Sequence, residues 1–254
     1  MRRNRSLLLT AGAVLALSLS GLASAGIEKT KHNMSSGAPS TNVIKSVTGG
    51  TGTDEICVFC HTPHMNVTKG DVLPLWNHRM SSGGGSYTMY KSASFNGADS
   101  YGVGQSVSLD FASDAGVIDG TMSVTNLCLS CHDGTQAVNA MFNTPNRLGA
   151  DPVMDGGVDT IPTTSNAYLG TDLQNDHPVN FSYSVSEAVS DETLHSPSGG
   201  GVTWNGETVR LFADTVQCAS CHDPHKDYVT NAEFTPFLRV TISGSKLCLT
   251  CHNK

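Results

Sequence analysis

Apolar residues are dense only at the start of the chain. Leu7 to Leu22 is an apolar run broken by small residues and hydroxyls, with Arg2, Arg3 and Arg5 before it and Ala23-Ser24-Ala25 after it. That order predicts a secretory signal peptide over residues 1–25, cut before Gly26. Gly26 and not Cys follows the cut, so a lipid anchor is not expected. No later stretch approaches the roughly 20 apolar residues that a membrane-spanning helix needs. The expectation is an exported protein, periplasmic or at the outer surface, with no membrane span after cleavage.

Beyond residue 25 the pattern is fragmentary. The best hairpin is Val202 to Leu211, where apolar and polar residues alternate about Asn205-Gly206, a dipeptide suited to the positive φ of a two-residue turn. Phe237 to Ile242 reads as a short strand. Residues 81–125 and 143–175 are rich in Gly, Ser, Thr, Asp and Pro and read as loops. Gly83-Gly84-Gly85 and Gly199-Gly200-Gly201 punctuate the chain without the strand-to-helix context of a phosphate loop. Asp155 to Asp159 lacks EF-hand spacing. The expected fold class has few secondary structures, with short helices and occasional β-hairpins in mostly coil.

Composition makes that sparseness a problem. Of 254 residues only 38% are hydrophobic and 6% aromatic, while Gly, at 26 residues, exceeds its usual share of about 7%. Such a chain is either largely disordered or builds its core round something that is not protein. The formal net charge is −7; taking Arg2, Arg3 and Arg5 from the 15 basic side chains leaves 12 against 22 acidic ones, a net of −10. An acidic balance of that size argues against nucleic acid as a partner.

The chain has 8 Cys and 10 His. The cysteines fall as Cys57-x-x-Cys60-His61, Cys128-x-x-Cys131-His132, Cys218-x-x-Cys221-His222 and Cys248-x-x-Cys251-His252. Export suggests disulfides, but this spacing is the c-type haem attachment signature, and it uses every cysteine. Two thiols so spaced add across the vinyl groups along one edge of a haem, which leaves the adjacent His under the ring as proximal iron ligand. A zinc ribbon would complete each site with four thiolates and leave the histidines idle. A redox Cys-x-x-Cys would be single and lie near a βαβ pattern, which is missing. The reading is four haem c, with Cys57, Cys60, Cys128, Cys131, Cys218, Cys221, Cys248 and Cys251 as thioether sites. His61, His132, His222 and His252 are the proximal ligands. Each motif is expected to open or end a short helical turn, and the haems supply the missing core.

Function turns on the other axial position. An iron with one open site binds small molecules, whereas one with two strong protein ligands only exchanges electrons. An internal repeat selects among the remaining histidines. Motifs one and three continue as Cys-x-x-Cys-His-x-Pro-His, ending at His64 and His225. Motifs two and four share Leu-Cys-Leu-x-Cys-His, and each half has one His upstream, His32 and His177. His32, His64, His177 and His225 are therefore the expected distal ligands. Neither His64 nor His225 can reach the far face of the ring held by the His three residues before it, so each is expected to serve a neighbouring haem. His78 and His195 have no counterpart in the other half; His78 is the reserve ligand. Trp76 is expected to pack on a porphyrin face, with its indole N–H in need of a partner. The repeat divides the chain into a signal peptide at 1–25, an N-terminal arm at 26–56, a first two-haem unit at 57–142 and a second at 143–254.

His32-Asn-Met-Ser, Cys57-Val-Phe-Cys-His-Thr-Pro-His64, Pro74-Leu-Trp-Asn77, Cys128-Leu-Ser-Cys-His-Asp-Gly134, Asn175-Asp-His-Pro-Val179 and Cys218-Ala-Ser-Cys-His-Asp-Pro-His225 follow one another in this order. On these motifs, from about residue 27 to the C-terminus, the chain resembles the multihaem c-type cytochromes of metal-reducing bacteria, especially the tetrahaem kind that polymerise into extracellular filaments. The resemblance implies bis-His iron throughout, stacked haem pairs, electron transfer rather than catalysis, and an axial His sometimes donated between subunits. It implies as partners other copies of the chain in a head-to-tail filament, redox proteins and extracellular metal oxides. Residues 33–56 are rich in Ser, Gly and Thr and read as a flexible arm with a reach of roughly 25–30 Å, which leads to the expectation that His32 crosses to a neighbouring subunit. A soluble periplasmic tetrahaem shuttle is the alternative, and a multihaem reductase of a small oxyanion a more distant one, since all four motifs end in His.

Overall fold

Helix forms where the attachment motifs lie. A 3-10 turn spans Cys57–Phe59, and α-helices span Val124–His132, Cys218–Cys221 and Lys246–Cys251. Helices this short are not stable alone, so each depends on what it packs against. The computed structural model describes residues 26–62, 75–79, 86–92, 95, 106–108, 117–118, 121–122, 124–145, 148–183, 193–212 and 214–253. Residues 1–25, the expected ligand His64, and Gly83-Gly84-Gly85 lie outside the described residues.

Among the described residues the strands form four antiparallel pairs. Gly201–Trp204 pairs with Glu207–Arg210, with Val202 opposite Val209, as the alternation implies. Asn205 and Gly206 form its turn at φ 49 and 81. Phe181–Ser182 pairs with Thr215–Val216. The remaining two, Ser86–Thr88 with Ser106–Ser108 and Val117–Ile118 with Thr121–Met122, fall in a segment read as loop. Mostly coil with short helices and small sheets is the fold class that the composition implies.

The strand expected over residues 237–242 does not form. Phe237 has φ 57, and that left-handed residue breaks the extended course at its first position. The chain instead hooks round the third motif: Asp223 N–H donates to the Phe237 carbonyl (2.7 Å) and Arg239 N–H to the Cys221 carbonyl (2.8 Å). Leu238, Val240 and Thr241 are buried there without a strand partner beyond a single bridge from Leu238 to His222.

The segment 26–56 is not a loose arm either. Its polar residues turn inward: Thr30, Asn33, Ser35, Asn42, Ser46 and Thr53 are all buried. Asn42 Nδ2 donates to the Thr30 and Asn33 carbonyls, each at 2.9 Å. Val47 N–H donates to Val153 O, Val153 N–H to Thr51 O and Asp155 N–H to Lys45 O. A segment whose backbone groups are satisfied internally and against residues 153–155 is docked.

Apolar side chains gather in two clusters. One joins Tyr87, Met89, Leu129 and Leu173 to Phe181, Val202 and Leu211, and the other joins Val58, Phe59, Val138 and Met141 to Met154 and Ile161. Both draw on residues either side of 142/143, the boundary that the repeat suggests. No helix among the described residues is long and apolar enough to cross a membrane.

Candidate functional site

The helical turn places each pair of cysteines on one side, since residues three apart share a helix face. The following His is fixed by its backbone: His61, His222 and His252 N–H donate to the carbonyls of Cys57, Cys218 and Cys248 at 2.8, 3.0 and 2.8 Å. No disulfide joins any of the eight cysteines. Burial pushes Cys60 and Cys221 up to about 11 and Cys251 up to about 12, and it raises Cys131 further.

The imidazoles come together in pairs. His61 faces His225 with ring centroids 5.9 Å apart, His32 faces His132 at 6.2 Å, and His177 faces His252 at 6.4 Å. A metal–imidazole bond is about 2 Å and the ring centre lies about 1 Å beyond the nitrogen, so two imidazoles trans on one metal have centroids about 6 Å apart. In each pair one ring is a motif histidine and the other is one of the spare histidines that the repeat selects. No cluster of three or more His, Cys, Asp or Glu among the described residues is arranged to hold a bare metal ion. Two-donor sites suit a metal that arrives with its own macrocycle.

The second ring nitrogens support the same assignment. His132 Nδ1 lies 2.8 Å from Ala167 O, His222 Nδ1 2.9 Å from Pro236 O, and His177 Nδ1 2.9 Å from Pro178 O. A carbonyl only accepts, so Nδ1 carries the proton and Nε2 keeps its lone pair, the arrangement of a metal-ligating histidine. Burial, with His132 nearby, pushes His32 down to about 4. Burial also lowers His132, and burial with His225 lowers His61. The rings are thus held neutral, as ligation requires. Trp76 lies edge-on to His61, 6.2 Å between centroids at 89°, rather than flat against it. Its buried indole Nε1 has no hydrogen-bond partner among the described residues, which fits a group beside His61 that supplies an acceptor. The residues fit haem c at these positions.

His78 and His195 are used differently. His78 is fully buried with Nε2 3.0 Å from Ala137 O and 3.4 Å from Cys131 Sγ, while its Nδ1 has no partner among the described residues. His195 stacks on Trp204 at 3.9 Å and 16°. Neither ring faces a motif histidine among the described residues. His222 likewise has no ring facing it there, and His64, the remaining expected ligand, lies outside them.

The attachment sites adjoin one another. Cys128 and Cys218 are hydrogen-bonded, which with burial raises Cys128. Gln217, buried at the start of the third motif, accepts from Thr125 N–H (3.1 Å) through Oε1 and donates through Nε2 to Thr215 Oγ1 (2.7 Å). Cys218 N–H donates to Thr125 Oγ1 at 3.2 Å. Cys60 and Cys131 pack against the same apolar cluster, and burial, with Cys221 nearby, raises Cys251. The short segment from His222 to His225 touches three sites, because Pro224 O lies 3.5 Å from His32 Nδ1. Arg239 holds that segment, with Nε on Ala219 O (2.7 Å) and Nη1 on Asp223 Oδ2 (3.0 Å).

Sequence reasoning missed these supporting residues. Ala167, Pro224 and Pro236 act through carbonyls, which have no sequence signature. Gly134 had one, in Cys-His-Asp-Gly: it has φ +71, and a Cβ there would run into the Tyr168 ring beside the Ala167 turn.

Paired imidazoles beside paired thiols are the donor set that covalently attached haem c requires. Residues 212–254 match the family described as the doubled CXXCH motif, which takes in motifs three and four. No curated protein matches the chain. The chain carries the paired attachment motif of multihaem c-type cytochromes, and covalently bound haem c with electron transfer is the function that motif supports.

Proposed function

We propose that the chain is a tetrahaem electron-transfer protein and not an enzyme. The observation that carries this is the set of three imidazole pairs at 5.9, 6.2 and 6.4 Å. Haem c supplies a one-electron couple at each iron. His61 with His225, His132 with His32, and His252 with His177 close both faces of three sites against exogenous ligands. His222 with His64 completes the fourth. The Nδ1–carbonyl bonds fix ring tautomers, and the adjoining thiols bring the four groups into one series suited to rapid exchange.

We infer further that the chain works outside the cytoplasm as a subunit of an extracellular filament, passing electrons to redox proteins or metal oxides. The resemblance in the motifs supports this, and the net charge of −10 after signal cleavage favours cationic or metal-oxide partners. A self-contained periplasmic shuttle is the second reading, and the position of His32 favours it. That ring faces His132 of its own chain, which supports ligation within the chain over the expected crossing to a neighbour. Negative-stain imaging and size-exclusion chromatography of the purified holoprotein separate the two: filaments support the first, a monomer the second. A high-spin iron, or a spectral change on adding carbon monoxide to the reduced protein, would overturn electron transfer in favour of a reductase.

A further inference from the structure

The three imidazole pairs are not alike. The rings of His61 and His225 are nearly parallel at 18°, whereas His32 crosses His132 at 67° and His177 crosses His252 at 76°. Deepening the reading above, on which it rests, we propose that Phe237 is a positioning residue that holds the His32 imidazole crossed to that of His132, making this iron electronically distinct from the His61–His225 site.

The two rings of the crossed pair are anchored separately. His132 is fixed by its Nδ1 bond to Ala167 O at 2.8 Å, and Leu169 N–H returns to the His132 carbonyl at 2.8 Å. His32 has only a long 3.5 Å approach to Pro224 O, at the limit of a hydrogen bond. Rotation about its last side-chain torsion is broad, so that contact alone does not set the ring plane. Phe237 sets it, stacked on His32 at 4.2 Å and 18°.

Phe237 is itself locked. It is buried, its ring is edge-on to Tyr228 at 4.6 Å and 77°, and its carbonyl accepts from Asp223 N–H. It also sits at φ 57, a left-handed conformation that suits Gly or Asn better than a bulky residue. A phenyl group kept at such a position is there for its ring.

The consequence lies in the iron orbitals. Parallel imidazole planes interact through their π systems with the same d orbital and split the pair strongly. Crossed planes divide that interaction and leave the two orbitals nearly equal in energy, which gives an oxidised low-spin iron of unusually large g-anisotropy. The side chains that set the planes thereby tune the iron.

Low-temperature electron paramagnetic resonance of the oxidised full-length holoprotein tests this. Wild type should show both strongly anisotropic and ordinary rhombic low-spin signals. Phe237→Gly removes the ring from a position where the backbone already suits Gly. It should convert about one haem's worth of the strongly anisotropic intensity to the rhombic kind, while the His177–His252 and His61–His225 signals stay as internal controls of folding. Phe237→Tyr should restore the wild-type spectrum. An unchanged spectrum in Phe237→Gly, or one changed equally by Phe237→Tyr, overturns the proposal. Failure of the bis-His reading would look different: wild type would then show a high-spin iron before any substitution, whereas a fully low-spin wild type lacking the strongly anisotropic signals would overturn the crossed arrangement itself.

Discussion

The imidazole of His225 lies almost parallel to that of His61, 18° between planes and 5.9 Å between centroids. His225 belongs to the third attachment motif and His61 to the first. The Pro-His extension therefore does not serve its own motif; it reaches across to another. Each of the three imidazole pairs joins chain segments far apart in sequence, and the apolar clusters mix residues from the same parts of the chain. Cofactor attachment and folding are coupled in such a chain, for the reason that metal-dependent domains unfold without their metal.

Haem count is the first test. Intact-mass measurement of the mature protein beginning at Gly26 should show four haem additions. Replacing both cysteines of one motif with Ser should lower the count by one. Three or fewer additions on fully matured wild type would sink the tetrahaem reading.

Ligand pairing is the second. His225→Ala, His177→Ala and His32→Ala should each open one iron, read as a high-spin signal and as carbon monoxide binding by the reduced protein. The ring of His195 stacks on Trp204, and His195→Ala should leave the visible spectrum unchanged. The reverse pattern, with His195→Ala high-spin and His177→Ala low-spin, would show that the pairs have been misassigned. His32→Ala should open its iron in dilute monomeric protein as well, because its partner is in the same chain.

Gln217 is the third. It is 2% exposed, and its side chain bonds Thr125 N–H, Thr215 Oγ1 and Asn180 Oδ1 at 3.1, 2.7 and 3.2 Å. Gln217→Ala strands a buried backbone N–H at the junction of motifs two and three. Unsatisfied buried groups cost about 1–3 kcal/mol each, so a loss of about 3 kcal/mol is expected in urea unfolding. A midpoint within error of wild type would show that the junction does not depend on it.

His78 sets a pH dependence. Burial pushes it down to about 4 from its ordinary 6.5, so between those values the unfolded chain binds a proton that the folded chain excludes. Stability is then full above about 6.5 and falls as the pH drops towards 4, by about 3 kcal/mol in all. On the proposed reading the iron-held histidines would not titrate across this window, which leaves His78 as the buried imidazole among the described residues. Thermal unfolding at pH 7 and pH 4.5 should show a smaller drop for His78→Gln than for wild type. Equal drops would place the acid sensitivity elsewhere.

The doubled attachment motif of residues 212–254 was legible because its chemistry is local. Two thiols and an imidazole must meet one cofactor edge, and that demand is met within five residues, as in Cys218 to His222. The hairpin about Asn205-Gly206 was legible for the same reason, since a tight turn and flanking alternation are short-range signals. The repeat also picked out His32, His177 and His225 as the spare rings that meet motif histidines. Which ring meets which was decided only in three dimensions. His225 pairs with His61, the segment 26–56 docks on residues 153–155, and Phe237 leaves strand geometry to stack on His32. Coil has no periodicity from which such meetings can be extrapolated. Its course is fixed by carbonyls and buried polar side chains, such as those of Ala167 and Asn42, whose partners lie far along the chain.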